Sequence, residues 1–290
     1  MPHTHHAAFE SSLFSAALIV AALVYLRGWA RVRCVDVDLI AGWRAASSLC
    51  GLFLIWIAVA SPLAALDHEL LTVHMVQHLL LMTLAPPLLW LGAPMKPLLQ
   101  GLPQRCARVI RSWFSSAALQ RLGKAISRPA VCWLAAAGTL VGWHVPDAFM
   151  LGMRSGVWHG IEQASFLGTG FLFWWPVVRS KSTASTWREW SILLYLFFAT
   201  LPCDMLSGFL VFCDRVVYPV YFSALRPLGF SALEDQQCAG ALMWTCVTVV
   251  YLIAGTIYAM RLLAPECSRQ RSVLKSYSQL GRATQRIEVI

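Results

Sequence analysis

The amino-acid sequence predicts an all-helical polytopic membrane protein, a bundle of seven transmembrane helices with its N-terminus outside and its C-terminus in the cytoplasm. Three observations carry that prediction. Of 290 residues, 58% are apolar and 13% charged, where soluble domains run at roughly 45–50% and about 25%. One water-soluble core of this size cannot hide so much hydrophobic sequence, so the excess must face lipid, which excludes a soluble enzyme and a disordered scaffold. The apolar residues gather into seven stretches, and the basic residues gather between alternate stretches.

The stretches run approximately over 12–29, 44–60, 70–91, 130–146, 157–178, 190–212 and 240–262. At about 1.5 Å of rise per residue, such lengths match a hydrocarbon core about 30 Å thick. Backbone polar groups in lipid must be bonded within the segment unless a barrel closes, and continuous apolar runs without strict alternation therefore read as helices. The first follows Met1-Pro2-His3-Thr4-His5-His6. With no basic region ahead of it, it reads as a span rather than a cleavable signal peptide. The third carries His74 and His78, and the fourth is short enough that its helix is expected to begin nearer Arg128. The fifth carries His159 and Glu162, the sixth Asp204, and the seventh follows Asp235-Gln236-Gln237. The chain thus divides into a His-containing tail (1–11), a membrane domain (12–263) and a basic tail (264–290). The longest connection, 92–129, interleaves Val109, Ile110, Trp113 and Phe114 with Arg105, Arg108 and Arg111. That pattern is expected of a helix anchored on the membrane surface.

Orientation follows from the Lys and Arg residues. Twenty of them fall after spans one, three, five and seven, and three (Arg154, Arg215, Arg226) fall on the opposite side. The twenty therefore line the inner leaflet. The net charge of +9 is accounted for by that asymmetry and does not indicate a nucleic-acid partner.

On this topology all eight histidines, His3, His5, His6, His68, His74, His78, His144 and His159, fall on or near the outer side. His74 and His78 lie about one and two turns below the outer end of span three, on one face. His144 lies near the outer end of span four and His159 in the first turn of span five, with Glu162 one turn deeper. Intramembrane ionisable groups cost about 2.5 kcal/mol or more when charged at mid-bilayer and turn toward a partner or cavity. A layer of imidazoles beside a carboxylate is what a transition metal or a haem iron requires; the alternative is a set of hydrogen-bonded structural histidines. Copper also accepts sulfur ligands, and Met75, Met82, Met153, Met205 and Cys203 lie at matching depths, although methionine more often fills packing gaps. Asp204 needs a partner, either a histidine of the layer or a structural donor. Asp235 and Gln236, with Gln237, precede span seven, where an acidic group suits a helix N-terminus. His3, His5 and His6 form an outer tail able to capture metal or without function of its own. Of nine cysteines, Cys213 and Cys238 are the one pair expected to form a disulfide, facing an oxidising compartment.

Several of these residues carry a resemblance. Ser61-Pro62-Leu63, His74-Met75-Val76-Gln77-His78-Leu79-Leu80-Leu81-Met82, Ala85-Pro86-Pro87-Leu88-Leu89 and Leu91-Gly92-Ala93-Pro94 resemble the signature of the multi-span CtaG-type cytochrome c oxidase assembly factors. So do Trp143-His144-Val145-Pro146, His159 with Glu162 leading into Phe171-Leu172-Phe173-Trp174-Trp175-Pro176, and Asp235-Gln236-Gln237 with Gly240 and Met243-Trp244. The resemblance covers roughly residues 10–263. It implies a non-enzymatic seven-span protein of the bacterial inner membrane, needed for maturation of a haem-copper terminal oxidase and handling copper for it. The partners it implies are oxidase subunits or other assembly factors. One departure is Gln163, where many relatives are expected to have a second histidine after the span-five glutamate.

Three readings follow. A copper-handling assembly factor uses His74, His78, His144 and His159 as ligands, with Glu162, Asp204, Asp235, Gln236, Met75 and Met82 in support. A haem-binding electron-transfer protein uses two of these histidines on facing helices. A scaffold for oxidase subunits uses none.

Overall fold

The computed structural model describes residues 2–35, 41–179, 189–223 and 229–263, with backbone alone at 2–10, 35, 179 and 189. The basic tail 264–290 and the whole connection 180–188 lie outside the described residues, among which every regular element is a helix or helical turn.

In chain order the helices are α1 (Pro2–Val35), α2 (Gly42–Ala60), α3 (Leu71–Leu79), α4 (Ala85–Leu91), α5 (Met95–Gly101), α6 (Gln104–Ser115), α7 (Ala117–Ile126), α8 (Pro129–His144), α9 (Pro146–Arg154), α10 (Gly156–Arg179), α11 (Glu189–Phe212) and α12 (Ala232–Leu263). The expected stretches fall on α1, α2, the run from α3 to α4, α8, α10, α11 and α12, the fourth ending across the Val145 break. Five stretches are long and apolar enough to cross a membrane individually: Ser11–Cys34, Gly42–Leu66, Leu71–Leu91, Trp190–Phe212 and Ala232–Leu263. Ala117–Ile126 and Pro129–His144 pass the same test only as a pair, bent by 69°, a sixth candidate if the two are one span. α10 has the length, 24 residues, but its first two turns carry His159, Glu162 and Gln163 and lower its apolar character.

Leu71–Leu91 forms the centre of the bundle: 61% of its 18-residue apolar stretch is buried, against 11% for that of Ser11–Cys34. Between α3 and α4 it passes through one π-helical turn, Leu80–Leu84. The cause is Pro86, which has no N–H to give the Met82 carbonyl four residues back. That carbonyl instead accepts from Trp174 Nε1 of α10 at 3.2 Å.

The connection 92–129 behaves in two parts. α6 keeps the amphipathic pattern expected of it, with Val109, Trp113 and Phe114 exposed. α5, by contrast, packs against α1 through two glycines: a Cβ on Gly28 would sit 1.7 Å from the Pro97 carbonyl oxygen, and one on Gly101 1.9 Å from that of Val24. At this end of the bundle Tyr25 Oη donates to the Gly92 carbonyl at 3.1 Å and Arg31 to that of Gln100 at 2.8 Å. The opposite end is tied across the loops. Tyr218 Oη donates to the His144 carbonyl at 3.0 Å and Tyr221 Oη to that of Asp67 at 2.9 Å. His68, His74, His78, His144 and His159 occupy this second end.

Candidate metal centre

The site is built on the first turns of α3. Helix N-termini leave backbone N–H groups without intrahelical partners, and here Asp235 of α12 supplies the acceptor: its carboxylate takes Leu71 N–H at 2.6 Å, Thr72 N–H at 3.2 Å and Thr72 Oγ1 at 2.6 Å. The expected capping role of Asp235 is therefore exercised on another helix. α12 is capped instead by Ser231 and Glu234, whose side chains reciprocally bond each other's backbone N–H at 3.2 and 2.8 Å, a capping box. Gln236 accepts from Val217 N–H at 2.7 Å and donates to the Leu210 and Arg215 carbonyls at 3.3 and 3.1 Å. Both residues position the site without entering it.

From the fixed start of α3, His74 and His78 project one turn apart into the bundle, their rings 4.4 Å between centroids. Phe149 lies against His74 at 5.0 Å and Phe166 is stacked on His78 at 3.9 Å. Glu162 of α10 reaches between them, its Oε1 3.4 Å from His74 Nε2 and 3.3 Å from His78 Nε2. All three side chains are buried, at 0%, 4% and 1% exposure. These are close imidazole–carboxylate contacts within ion-pair range, longer than the about 2.7–2.9 Å of charge-assisted hydrogen bonds. Neither carboxylate oxygen and none of the four ring nitrogens has a hydrogen-bond partner. Buried polar groups left in that state are costly. The spacing does match the edge of a tetrahedron of ligands about 2.0–2.1 Å from a central ion, which is about 3.3–3.4 Å. The donor chemistry and the orphaned atoms thus both fit a metal ion.

His144 ends α8, where Val145 and Pro146 turn the chain into α9. Its Nδ1 lies 2.7 Å from the Leu140 carbonyl oxygen. A carbonyl only accepts, so Nδ1 carries the proton and the neutral ring turns the lone pair of Nε2 outward. That lone pair faces the Met75 sulfur at 3.1 Å. In that neutral tautomer two lone-pair atoms face each other, an arrangement that a soft cation resolves.

His159 stands at the edge of the group. Its ring stacks on His74 at 5.5 Å between centroids, while Nε2 lies 3.5 Å from Asp67 Oδ2 and 3.1 Å from Gln163 Nε2. Gln163, at the position where a second histidine was expected, donates to His159 and to Gln77 Oε1 at 3.5 Å. Outside lies a cavity of about 650 Å³ bordered by Ser61, Asp67, Gln77, His159 and Gln163. Asp67, His68 and Gln77 went unweighted in the sequence, since the first two sit on a loop where no helical period assigns depth.

The remaining candidates fall elsewhere. Met82 is partly buried and borders, with His78 and Cys203, a cavity of about 40 Å³. Met153 is buried in the core, whereas Met205 is 77% exposed and points away from the site. Asp204 is not in either donor group among the described residues, and its Oδ1 is buried without a partner. Cys213 and Cys238 are free thiols, so the expected disulfide is not formed. Gln236 faces the loop that carries Cys213, and at about 100° per residue Cys238 points some 160° away from it. The side chains of His3, His5 and His6 lie outside the described residues.

Comparison with known proteins agrees with the resemblance. A family model described as cytochrome c oxidase caa3 assembly factor matches residues 23–264. Two uncharacterized proteins, one from Mycobacterium bovis and one from Mycobacterium tuberculosis, are each 25% identical over 256 residues, 85% of this chain and 38% of the relative. The chain spans about two fifths of the length of these curated relatives. No solved structure matches it significantly.

Proposed function

The chain belongs to the cytochrome c oxidase caa3 assembly factor family, and on that premise we propose that it receives and passes on copper during maturation of a haem-copper terminal oxidase. In this reading it is a seven-span protein of the bacterial inner membrane with the histidine end outside. Supporting seven spans, α10 is 24 residues long, about 36 Å at helical rise, and its polar residues turn inward to the histidines. Supporting the orientation, the described basic residues of the connections after spans one and three gather at the end opposite the site. The tails 1–11 and 264–290 then flank the membrane domain on opposite sides. The partners are oxidase subunits or other assembly factors together with the bilayer, and nucleic acid has no part.

The observation that carries the copper reading is the set of buried, unbonded donors on His74, His78 and Glu162, 3.3–3.4 Å apart. Copper is cargo here, not a resident cofactor. His74, His78 and Glu162 hold it, the His144–Met75 pair offers a soft second set, and His159 stands on the outer side. Imidazole and thioether suit copper ions, while the single carboxylate offsets their charge. Against the haem reading stands space: the cavity touching His78 is about 40 Å³, room for a few waters, and Phe149 and Phe166 fill the flanks of the histidine pair.

The test is made in cells and on purified protein. Alanine at His74 or His78 leaves the protein inserted at normal levels, removes the copper held at the buried site and lowers terminal oxidase activity, with partial recovery in added copper. Alanine at His3, His5 and His6 has little effect. Full oxidase activity with unchanged metal content in the His74 and His78 variants returns the histidines to a structural role and favours the scaffold. A porphyrin absorbance in the purified protein favours haem.

A further inference from the structure

Building on the copper reading of the buried group, we propose that Asp67, His68 and His159 form a second, outer metal site that holds a copper ion before it moves inward to His74, His78 and Glu162. The three donors converge from two elements: Asp67 and His68 from the loop between α2 and α3, and His159 from the first turn of α10, with Asp67 and His159 lining the cavity. Asp67 Oδ1 lies 3.8 Å from His68 Nε2 and Asp67 Oδ2 3.5 Å from His159 Nε2. All three donor atoms fall within 4.8 Å of one another. Two imidazoles and one carboxylate make a sufficient ligand set for a copper ion, with water completing the coordination.

The set grades from water to interior. The His68 side chain is 54% exposed, that of His159 12% and that of Asp67 7%. An ion arriving from water meets His68 on the exposed side and exchanges part of its water shell there, while Asp67 and His159 line the cavity of about 650 Å³. Gln77 Nε2 donates to Asp67 Oδ2 at 3.4 Å, and Gln163 bonds His159. The Gln163 amide donates into the same His159 Nε2 lone pair that an ion takes, so an arriving ion displaces that hydrogen bond, and neither neutral amide brings a cation to compete for the carboxylate. His159 also faces inward, stacked on His74, so one side chain borders both groups. The amides Gln77 and Gln163 also border the cavity.

The experiment uses the full chain purified in detergent, with His3, His5 and His6 changed to alanine so that they add no site, and Cu²⁺ alone as the probe. The starting protein binds about two ions per chain. His68→Ala, and separately Asp67→Asn with His68→Ala, lower this to about one and slow the filling of the site that remains. His74→Ala with His78→Ala also leaves about one ion, and that ion depends on His68. His68 is half exposed and Asp67→Asn keeps its shape, so thermal unfolding should match the starting protein. The proposal is overturned if stoichiometry and filling rate are unchanged by the Asp67 and His68 substitutions; copper then lost only with His74 and His78 leaves the buried site standing alone. Copper lost only with Asp67 and His68 upholds the outer site and removes the buried one.

Discussion

Asp235 caps a helix it does not belong to: its carboxylate accepts the backbone N–H of Leu71 at 2.6 Å, across 164 positions of sequence. An N-cap within one helix fixes only that helix. This one joins the start of α12 to the start of α3 and so sets the depth at which His74 and His78 enter the bundle. Tyr221, on the loop leading to α12, bonds the Asp67 carbonyl and ties the outer donors to the same end.

Removing that cap strips three hydrogen bonds from a buried helix start. Asp235→Ala should lower stability by about 1–3 kcal/mol, the cost of leaving buried donors without an acceptor. Asp235→Asn, which keeps one acceptor oxygen, should lose less. Thermal unfolding in detergent checks the order, and equal losses would mean that charge alone matters at this position.

Gly152 of α9 touches the site without offering a ligand. A Cβ there would lie 2.6 Å from Glu162 Oε2. The carboxylate can swing aside, so Gly152→Ala should leave insertion and thermal stability close to the starting protein while displacing Glu162 from His74 and His78. Bound copper should fall by about tenfold or more in affinity, as when groups that orient ligands are changed. Unchanged copper retention would show that Glu162 is not a ligand.

These two residues show where sequence reading stops. The depths of His74, His78, His144 and His159 are legible because hydrophobic stretches and charge asymmetry define a membrane frame, and helical rise then converts residue number into depth. Depth is not contact. Glu162 reads as one turn deeper than His159, but only the relative rotation of α3 and α10 brings it between His74 and His78. Met75 and Met205 look alike in sequence; one faces His144 and the other faces outward, because each helix's rotation is set by packing. Asp67 and His68 stand on a loop, outside any periodic frame, and Asp235 reads naturally as the cap of its own helix, a task that Ser231 and Glu234 perform.

Orientation rests on the twenty-to-three division of basic residues. A periplasm-active reporter fused after Gly229 should give signal, and the same reporter after Ser278 should not. The reverse pattern would put the histidine end in the cytoplasm and remove the route by which copper reaches it from outside.

Met75 separates a soft-metal site from a generic one. Its sulfur lies 3.1 Å from His144 Nε2, and the side chain is completely buried. Met75→Leu nearly conserves volume, so it should cost less than about 1.5 kcal/mol of stability. It removes the one thioether facing an imidazole lone pair. Thioether ligands favour Cu⁺ over harder ions, whereas two imidazoles and a carboxylate serve Zn²⁺ nearly as well. Met75→Leu should therefore weaken Cu⁺ binding by about tenfold or more while leaving Zn²⁺ binding close to that of the starting protein. Equal weakening of both ions would mean that Met75 acts by packing alone, and no weakening of either would leave His74, His78 and Glu162 as the whole buried site.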